Sequence, residues 1–215
     1  ILPVGLLKEL VESRLARRPV AYCVNINTGE RTLAYKGHEA RMRMDNSGFE
    51  TDEESFVSVY NPTLRLAVIG AVHIAQTLVR IARLAGFDPI LIEPRESFGS
   101  ETRFPGEQIM IDWPDEALAN LGKDHRTALV LLTHDPKLDD PALEFALSSE
   151  YFYIGALGSI RTHSQRVERF KAKGYSEKQL SRIHGPIGLN IGSATPAEIA
   201  VSIIAEVIKC LRINK

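Results

Sequence analysis

Hydrophobic positions along this chain keep two different rhythms. From Leu64 onward, short apolar runs alternate with stretches whose apolar residues recur at helical spacing. The runs predict strands over 65–69, 89–92, 108–112, 128–132 and 153–157. The helical stretches predict helices over 73–85, 115–121, 141–148, 162–171 and 196–211. Strand and helix in alternation with short connections predict an α/β fold: a Rossmann-like parallel sheet with helices on both faces. The first part of the chain reads differently. Leu6, Leu7, Leu10, Val11 and Leu15 predict a helix over 6–18. Residues 19–35 alternate and turn at Asn27-Thr28-Gly29, as a hairpin does. Residues 37–55 are polar and charged and are expected to form a loop or a weakly ordered arm. Residues 60–65 are expected to be a linker, because Pro62 disfavours helix at Asn61. The expected division is therefore a small N-terminal α+β domain over 1–61 and the Rossmann-like domain over 62–215.

Composition narrows the function. Of 215 residues, 44% are hydrophobic, enough for a packed core, and the formal net charge is −1. Charges of both signs are scattered, which argues against nucleic acid or a polybasic membrane surface as partner. No apolar run is long enough to span a bilayer, and no secretory signal pattern opens the sequence, so a cytoplasmic setting is expected. Cys23 and Cys210 are far apart, without the spacing of a disulfide framework or a thiolate metal site. Cys23 lies in an alternating strand and reads as a buried apolar thiol rather than a sulfur carrier.

Parallel sheets of this kind bind ligands beyond the carboxyl ends of their strands, so the residues after each strand carry the candidate chemistry. After the first comes GAVHIA (70–75). Gly70 and Ala75 fit the first and third positions of the dinucleotide fingerprint, but Val72 occupies the second, where glycine lets backbone approach a pyrophosphate. The amides of Ala71, Val72 and His73 and the positive end of the following helix still suit an anion. Glu93, after the second strand, stands where a ribose-binding acid belongs, or else merely solvates a strand end; Arg95 follows it. After the fourth strand, Thr133, His134 and Asp135 emerge where a ligand would lie, His134 as acid, base or donor. A plain turn at Asp135-Pro136 is the blander reading, with Asp139 or Asp140 capping a helix that has Pro141 at its first position. After the fifth strand, Gly158, Ser159, Arg161 and His163 form a candidate anion cradle. Finally, the glycine-punctuated segment from Arg182 places His184 and Gly185 before a helix with a Thr195–Glu198 capping box. His184 is expected to reach the same mouth as His134.

Taken together, GAVHIA, EPR (93–95), LTHDPKLDDPALE (132–144), YIGALGSIRTH (153–163) and RIHGPIGLNIGSATPAEIAVSI (182–203) resemble the xanthine dehydrogenase accessory factor family of the XdhC/CoxI type, over roughly 64–208. The resemblance implies a Rossmann-like carboxyl-terminal domain behind a small amino-terminal one. It also implies a maturation role: binding molybdenum cofactor (molybdopterin) while it is sulfurated and inserted. The implied partners are an apo molybdenum hydroxylase of the xanthine dehydrogenase type and a cysteine desulfurase. Two departures stand out: Val72 replaces a glycine usual in the family, and the glycine-rich, cysteine-containing segment usual in its amino-terminal domain is absent. A non-catalytic cofactor-binding chaperone is the reading that results. The competing reading is an NAD(P)-dependent oxidoreductase with His134 as proton donor; Val72 and the absence of an evident Lys/Tyr catalytic pair weigh against it. The apolar final helix leaves room for a homodimer.

Overall fold

The computed structural model describes residues 3–213. The chain divides into two compact units between Pro62 and Thr63.

In the first unit, α1 (Val4–Leu15) precedes β1 (Val20–Asn25) and β2 (Arg31–Ala34), followed by α2 (Glu39–Met44), β3 (Gly48–Phe49) and β4 (Ser55–Tyr60). The strands form an antiparallel sheet in the order β2-β1-β4-β3. The segment 37–55, expected to be a loop or arm, thus contains α2 and β3. The expected linker 60–65 contracts, because Tyr60 closes β4 and Leu64 opens the next strand. Both corrections have local causes. Ser55–Tyr60 alternates, and it sets Val57 opposite Cys23 on β1. In α2, Glu39 in the first turn and Arg41 and Arg43 in the last complement the helix dipole, and Asp45 ends the helix in the left-handed conformation at φ 52°. Met42 packs with Ala21 and Val57 as the centre of a small core.

The second unit runs β5 (Leu64–Ile69), α3 (His73–Leu84), β6 (Phe87–Ile92), β7 (Gln108–Met110), α4 (Pro114–Leu121), β8 (Thr127–Leu131), α5 (Pro136–Leu147), β9 (Tyr153–Ala156), α6 (Ile160–Ala172), α7 (Glu177–Leu180), β10 (Ile183–His184) and α8 (Pro196–Arg212). Its six strands are all parallel, in the order β10-β9-β8-β5-β6-β7. The strand residues alternate between two cores. Leu66, Val68, Val130 and Tyr153 pack with α3 and α8; Ala67, Ile69, Leu129, Leu131 and Ile154 pack with α4, α5 and α6. Helices therefore cover both faces, which is why the strands read as continuous apolar runs. The short β10 and α7 fall where the hydrophobic pattern has no clear period.

One helix begins earlier than its sequence pattern implies. Asp135, not Asp139 or Asp140, caps α5, accepting from the Lys137 amide at 3.0 Å, with Pro136 at the first position; Pro141 lies inside the helix. That start directs Leu138, Ala142, Leu143 and Ala146 into the core.

Chain order reverses between β5 and β8: from β5 the chain adds β6 and β7 on one side, then crosses to add β8, β9 and β10 on the other. The crevice beyond their carboxyl ends is the switch point at which such sheets take ligands.

Candidate functional site

Because every strand of this sheet is parallel, the turns after β5, β6, β8, β9 and β10 all leave the same edge, and contacts tie them together. At Gly70 the backbone has φ 103°, and an added Cβ would stand 2.6 Å from Thr133 Cγ2. Only glycine lets the turn after β5 press this closely on the turn after β8. The next residue is braced from β6. Glu93 is fully buried; its Oε2 accepts from the Ala71 amide at 3.0 Å and from Arg95 Nη2 at 2.9 Å. Its Oε1 accepts from Arg95 Nε at 2.6 Å and the Arg95 amide at 3.2 Å. Burial opposes the charge, but the Arg95 guanidinium and the two amides prevail and hold the carboxyl below its usual range. Its lone pairs are thus committed inside the protein. Glu93 braces the glycine turn rather than facing a ribose.

Val72 does not stand in the crevice as a plug. It precedes α3 with extended backbone, φ −89° and ψ 174°, and its side chain packs against the core shared with α3 and α8. His73 is exposed and lines an open groove of about 420 Å3 with Arg80 and Thr195.

On the other side of the switch point, Thr133 Oγ1 donates to Asp139 Oδ1 at 2.5 Å. Asp139 Oδ2 lies 3.5 Å from Arg166 Nη2, which also donates to the Leu157 carbonyl at 3.1 Å, directly before Gly158. Both ionic side chains are 3% exposed. Burial pushes the Asp139 carboxyl up despite Thr133 and Arg166, and burial lowers the Arg166 guanidinium despite Asp139. The pair is therefore held at a cost in desolvation, and the cost is not fully offset: Arg166 Nε and Nη1 are buried with no hydrogen-bond partner. One turn earlier on α6, His163 Nδ1 is likewise buried without a partner. Burial, then Arg166, lowers its pKa, so the imidazole is held towards neutrality. An added Cβ on Gly185 would stand 2.1 Å from that Nδ1, so α6 and the segment after β10 meet there. Neither Arg166 nor the pairing of Asp139 with it stands out when the sequence is read alone. Their signal was the spacing Ser159, His163, Arg166, Phe170, which is one face of a helix ending in a fully buried phenylalanine.

The remaining candidates divide. His134 is exposed at this edge and holds φ 60°, an uncommon conformation for a residue with a side chain. Arg95, Asp135 and Gly158 also stand at the edge; the field of Asp135 reaches Arg95. Ser159 is committed to capping α6, accepting from the Thr162 amide at 3.1 Å, and Arg161 is exposed in the first turn. His184 departs from its expected place. Its ring stacks on Tyr153 at 4.7 Å, Nδ1 lies 3.2 Å from Glu206 Oε1, and Nε2 lies 3.8 Å from Cys210 Sγ. Both ring nitrogens face α8, so His184 does not join His134. Asp140, the other expected cap, forms a two-point ion pair with Arg169 at 2.7 and 2.8 Å.

This geometry can hold an anionic, hydrogen-bonding ligand: amides and a helix terminus at the surface, with a buried cation whose donors remain unspent beneath. Comparison with known proteins agrees on the scaffold. The chain is 30% identical over 162 residues to a Bacillus subtilis (strain 168) protein named as a probable xanthine dehydrogenase subunit, covering 75% of this chain and 47% of that one. It is 29% identical over 148 residues to the molybdenum cofactor insertion chaperone PaoD of Escherichia coli (strain K12), covering 69% of this chain and 40% of PaoD. A crystal structure of a xanthine dehydrogenase from Bacillus halodurans superposes with a TM-score of 0.73 at 25% identity, covering 98% of this chain and 65% of that one. The chain thus spans 28% to 47% of the length of the curated relatives it matches. Residues 66–207, which hold the whole parallel sheet beyond its first two residues and nearly all of its helices, match the family described as the XdhC Rossmann domain, and the chain belongs to that family.

Proposed function

We propose that this protein is a maturation factor for a molybdenum hydroxylase of the xanthine dehydrogenase type, and that its Rossmann-like unit holds the molybdenum cofactor for sulfuration and insertion. The relatives named for xanthine dehydrogenase and for cofactor insertion support this reading. The observation that carries it is Arg166: a buried guanidinium with two nitrogens, Nε and Nη1, lacking any hydrogen-bond partner at the ends of β8 and β9. Leaving such donors buried and unsatisfied costs about 1–3 kcal/mol or more, which a bound oxyanion or an ordered water would relieve.

The cofactor supplies a phosphate, a hydrogen-bonding pterin, and a dithiolene that carries its own metal. The protein's part is to bind and orient. The Gly158 turn and the first turn of α6 present amides and positive dipole to the phosphate, with Arg166 beneath and Arg161 at the surface. His163 would offer a neutral nitrogen, and Thr133, His134 and the Ala71 turn would be the residues beside the pterin. Glu93 and Arg95 keep that turn rigid. A cysteine desulfurase and the apo-hydroxylase are the partners this role requires, in the cytoplasm. Among the described residues, no helix is long and apolar enough to cross a membrane. The commitment of Glu93 to Arg95 and Ala71 speaks against the alternative, an NAD(P)-dependent oxidoreductase, since ribose then lacks its usual acceptor.

Thermal unfolding in the presence of ligand separates the two. A ligand at a hundred times its Kd stabilises the folded state by about 2.7 kcal/mol. Molybdenum cofactor is expected to raise Tm under anaerobic conditions, and NADH and NADPH are not. Protection by a nicotinamide nucleotide without protection by the cofactor would replace this reading with the oxidoreductase.

A further inference from the structure

The first unit contains a second constellation, on residues the cofactor reading does not use. Cys23 sits on β1, opposite Thr32 of β2 and Val57 of β4, on the face covered by α2. Its Sγ lies 3.4 Å from His38 Nε2. His38 Nδ1 lies 3.4 Å from Glu50 Oε1, and Arg41 Nε donates to that same oxygen at 2.9 Å. Thiol, imidazole and carboxylate therefore stand in series, the order in which a base is oriented by one neighbour and activates another. Three separate segments supply them: a strand, the residue before α2, and the residue after β3. An open groove of about 510 Å3 adjoins the series; His38, Arg41, Met44 and Glu50 are among its walls. Among the described residues, no group of three or more His, Cys, Asp or Glu is arranged to hold a metal ion.

We propose that Cys23 is a nucleophilic thiol, with His38 as its base and Glu50 as the positioning residue, and that the groove receives a disulfide for thiol–disulfide exchange. The Glu50 carboxylate, 3.4 Å from Nδ1, favours the imidazole proton on that nitrogen, which leaves Nε2 to accept. In the reaction Nε2 takes the Cys23 proton as Sγ attacks one sulfur of the bound disulfide. The disulfide S–S bond breaks, a mixed disulfide forms on Cys23, and the departing thiolate takes the proton back from His38. Cys23 is oxidised and the leaving sulfur is reduced; no other electron acceptor is needed. Burial, and after it the Glu50 charge, push the Cys23 thiol above its ordinary range. Without a base, such a thiol would react more slowly than a cysteine in an unfolded chain.

The protein carries its own control. Cys210 Sγ also faces an imidazole, His184 Nε2, at 3.8 Å. There the carboxylate of Glu206 is shared with Tyr153 Oη at 2.6 Å and the Gly188 amide at 2.8 Å, and the imidazole is stacked on Tyr153. Cys210 is expected to be the slower thiol.

The test treats the whole chain with 4,4′-dithiodipyridine, follows release of the thiopyridone, and locates the label by mass spectrometry; oxidised glutathione serves as the second disulfide. Cys23 is expected to react at least about tenfold faster than Cys210 and than the same chain unfolded in urea, and His38→Gln is expected to remove about a hundredfold of that rate, the lower end of general-base assistance. Glu50→Gln should fall between. Equal rates at the two cysteines, or an unchanged rate in folded His38→Gln, would overturn the proposal. If His38→Gln does not fold, the pH profile of the unaltered protein decides. The charged groups beside the pair are Glu50, Arg41 and Glu39. A rate already level between about pH 7.5 and 9 supports transfer to the imidazole; a rate rising about tenfold per unit through that range marks an unassisted thiol and overturns it.

Discussion

Gly70→Ala offers the sharpest test of how the crevice is built. Two separate penalties apply. The backbone there has φ 103°, which a residue with a side chain holds at a cost of about 1–3 kcal/mol. The new Cβ would also meet Thr133 Cγ2 at 2.6 Å, with the Thr133 amide nitrogen at 3.4 Å. Overpacking of that kind costs about 1–3 kcal/mol. Leu132 and the strands behind the two turns are buried, so relaxation is limited. The combined loss is about 2–6 kcal/mol, which for a unit of this size lowers Tm by at least about 5 °C. The two parts can be separated. Thr133→Ser deletes Cγ2 and keeps the Oγ1 that reaches Asp139. In the double variant the steric part should vanish and the backbone part remain, giving a favourable coupling of at least about 1 kcal/mol in a double-mutant cycle followed by urea or thermal unfolding. A Gly70→Ala protein as stable as the unaltered one, or a coupling indistinguishable from zero, would refute the close pressing of the turns after β5 and β8.

Other consequences concern charge. Removing one partner of the buried Asp139–Arg166 pair, as in Arg166→Ala, should cost about 3–5 kcal/mol by urea unfolding, whereas Asp139→Leu with Arg166→Met should come within about 1 kcal/mol of the unaltered protein. A loss in the double variant as large as that in Arg166→Ala would show instead that the ion pair stabilises the fold. Glu93, Asp140 and Glu206 all have carboxyls held below their ordinary range, so each contributes stability that is present above its unfolded pKa, near 4, and is lost as pH falls through the lowered folded value. Glu93→Gln should flatten the stability–pH curve below about pH 4 and cost about 2 kcal/mol or more at pH 7. An unaltered acid limb would mean that the Arg95 and Ala71 contacts do not persist in solution. Asp139 has the opposite sign: with its pKa raised, its contribution is present at low pH and falls as pH rises through the folded value.

The parallel sheet was legible because its strands are buried on both faces and read as unbroken apolar runs, and the turns of interest were legible because ligand-facing residues follow strand ends. What stayed hidden was non-local. Asp135-Pro136 and Asp140-Pro141 are equally good helix starts in sequence; the first wins only because it turns Leu138, Ala142, Leu143 and Ala146 to the sheet. Arg166 reads as a solvent residue until Phe170, one turn on, is seen to be buried. His184 lies in a glycine-punctuated segment whose short strand has no hydrophobic signature, so it reads as a rim residue, but Tyr153 and Glu206, which claim it, come from distant segments. Dense charge over residues 50–54 masked β4 behind it. His38 and Glu50 lie in a charged stretch without hydrophobic period, so their approach to Cys23 leaves no mark in the sequence.

Arg166 is the residue expected to reach a ligand oxyanion from beneath the ends of β8 and β9. Calorimetric titration of molybdenum cofactor into the unaltered protein, Arg166→Met and Arg161→Ala tests this directly. Arg166→Met should weaken binding by at least about tenfold, since a hydrogen bond to a charged group is worth about 1.5–3 kcal/mol, while surface Arg161→Ala should weaken it less and only at low salt. A folded Arg166→Met protein that binds the cofactor as tightly as the unaltered one would contradict the account.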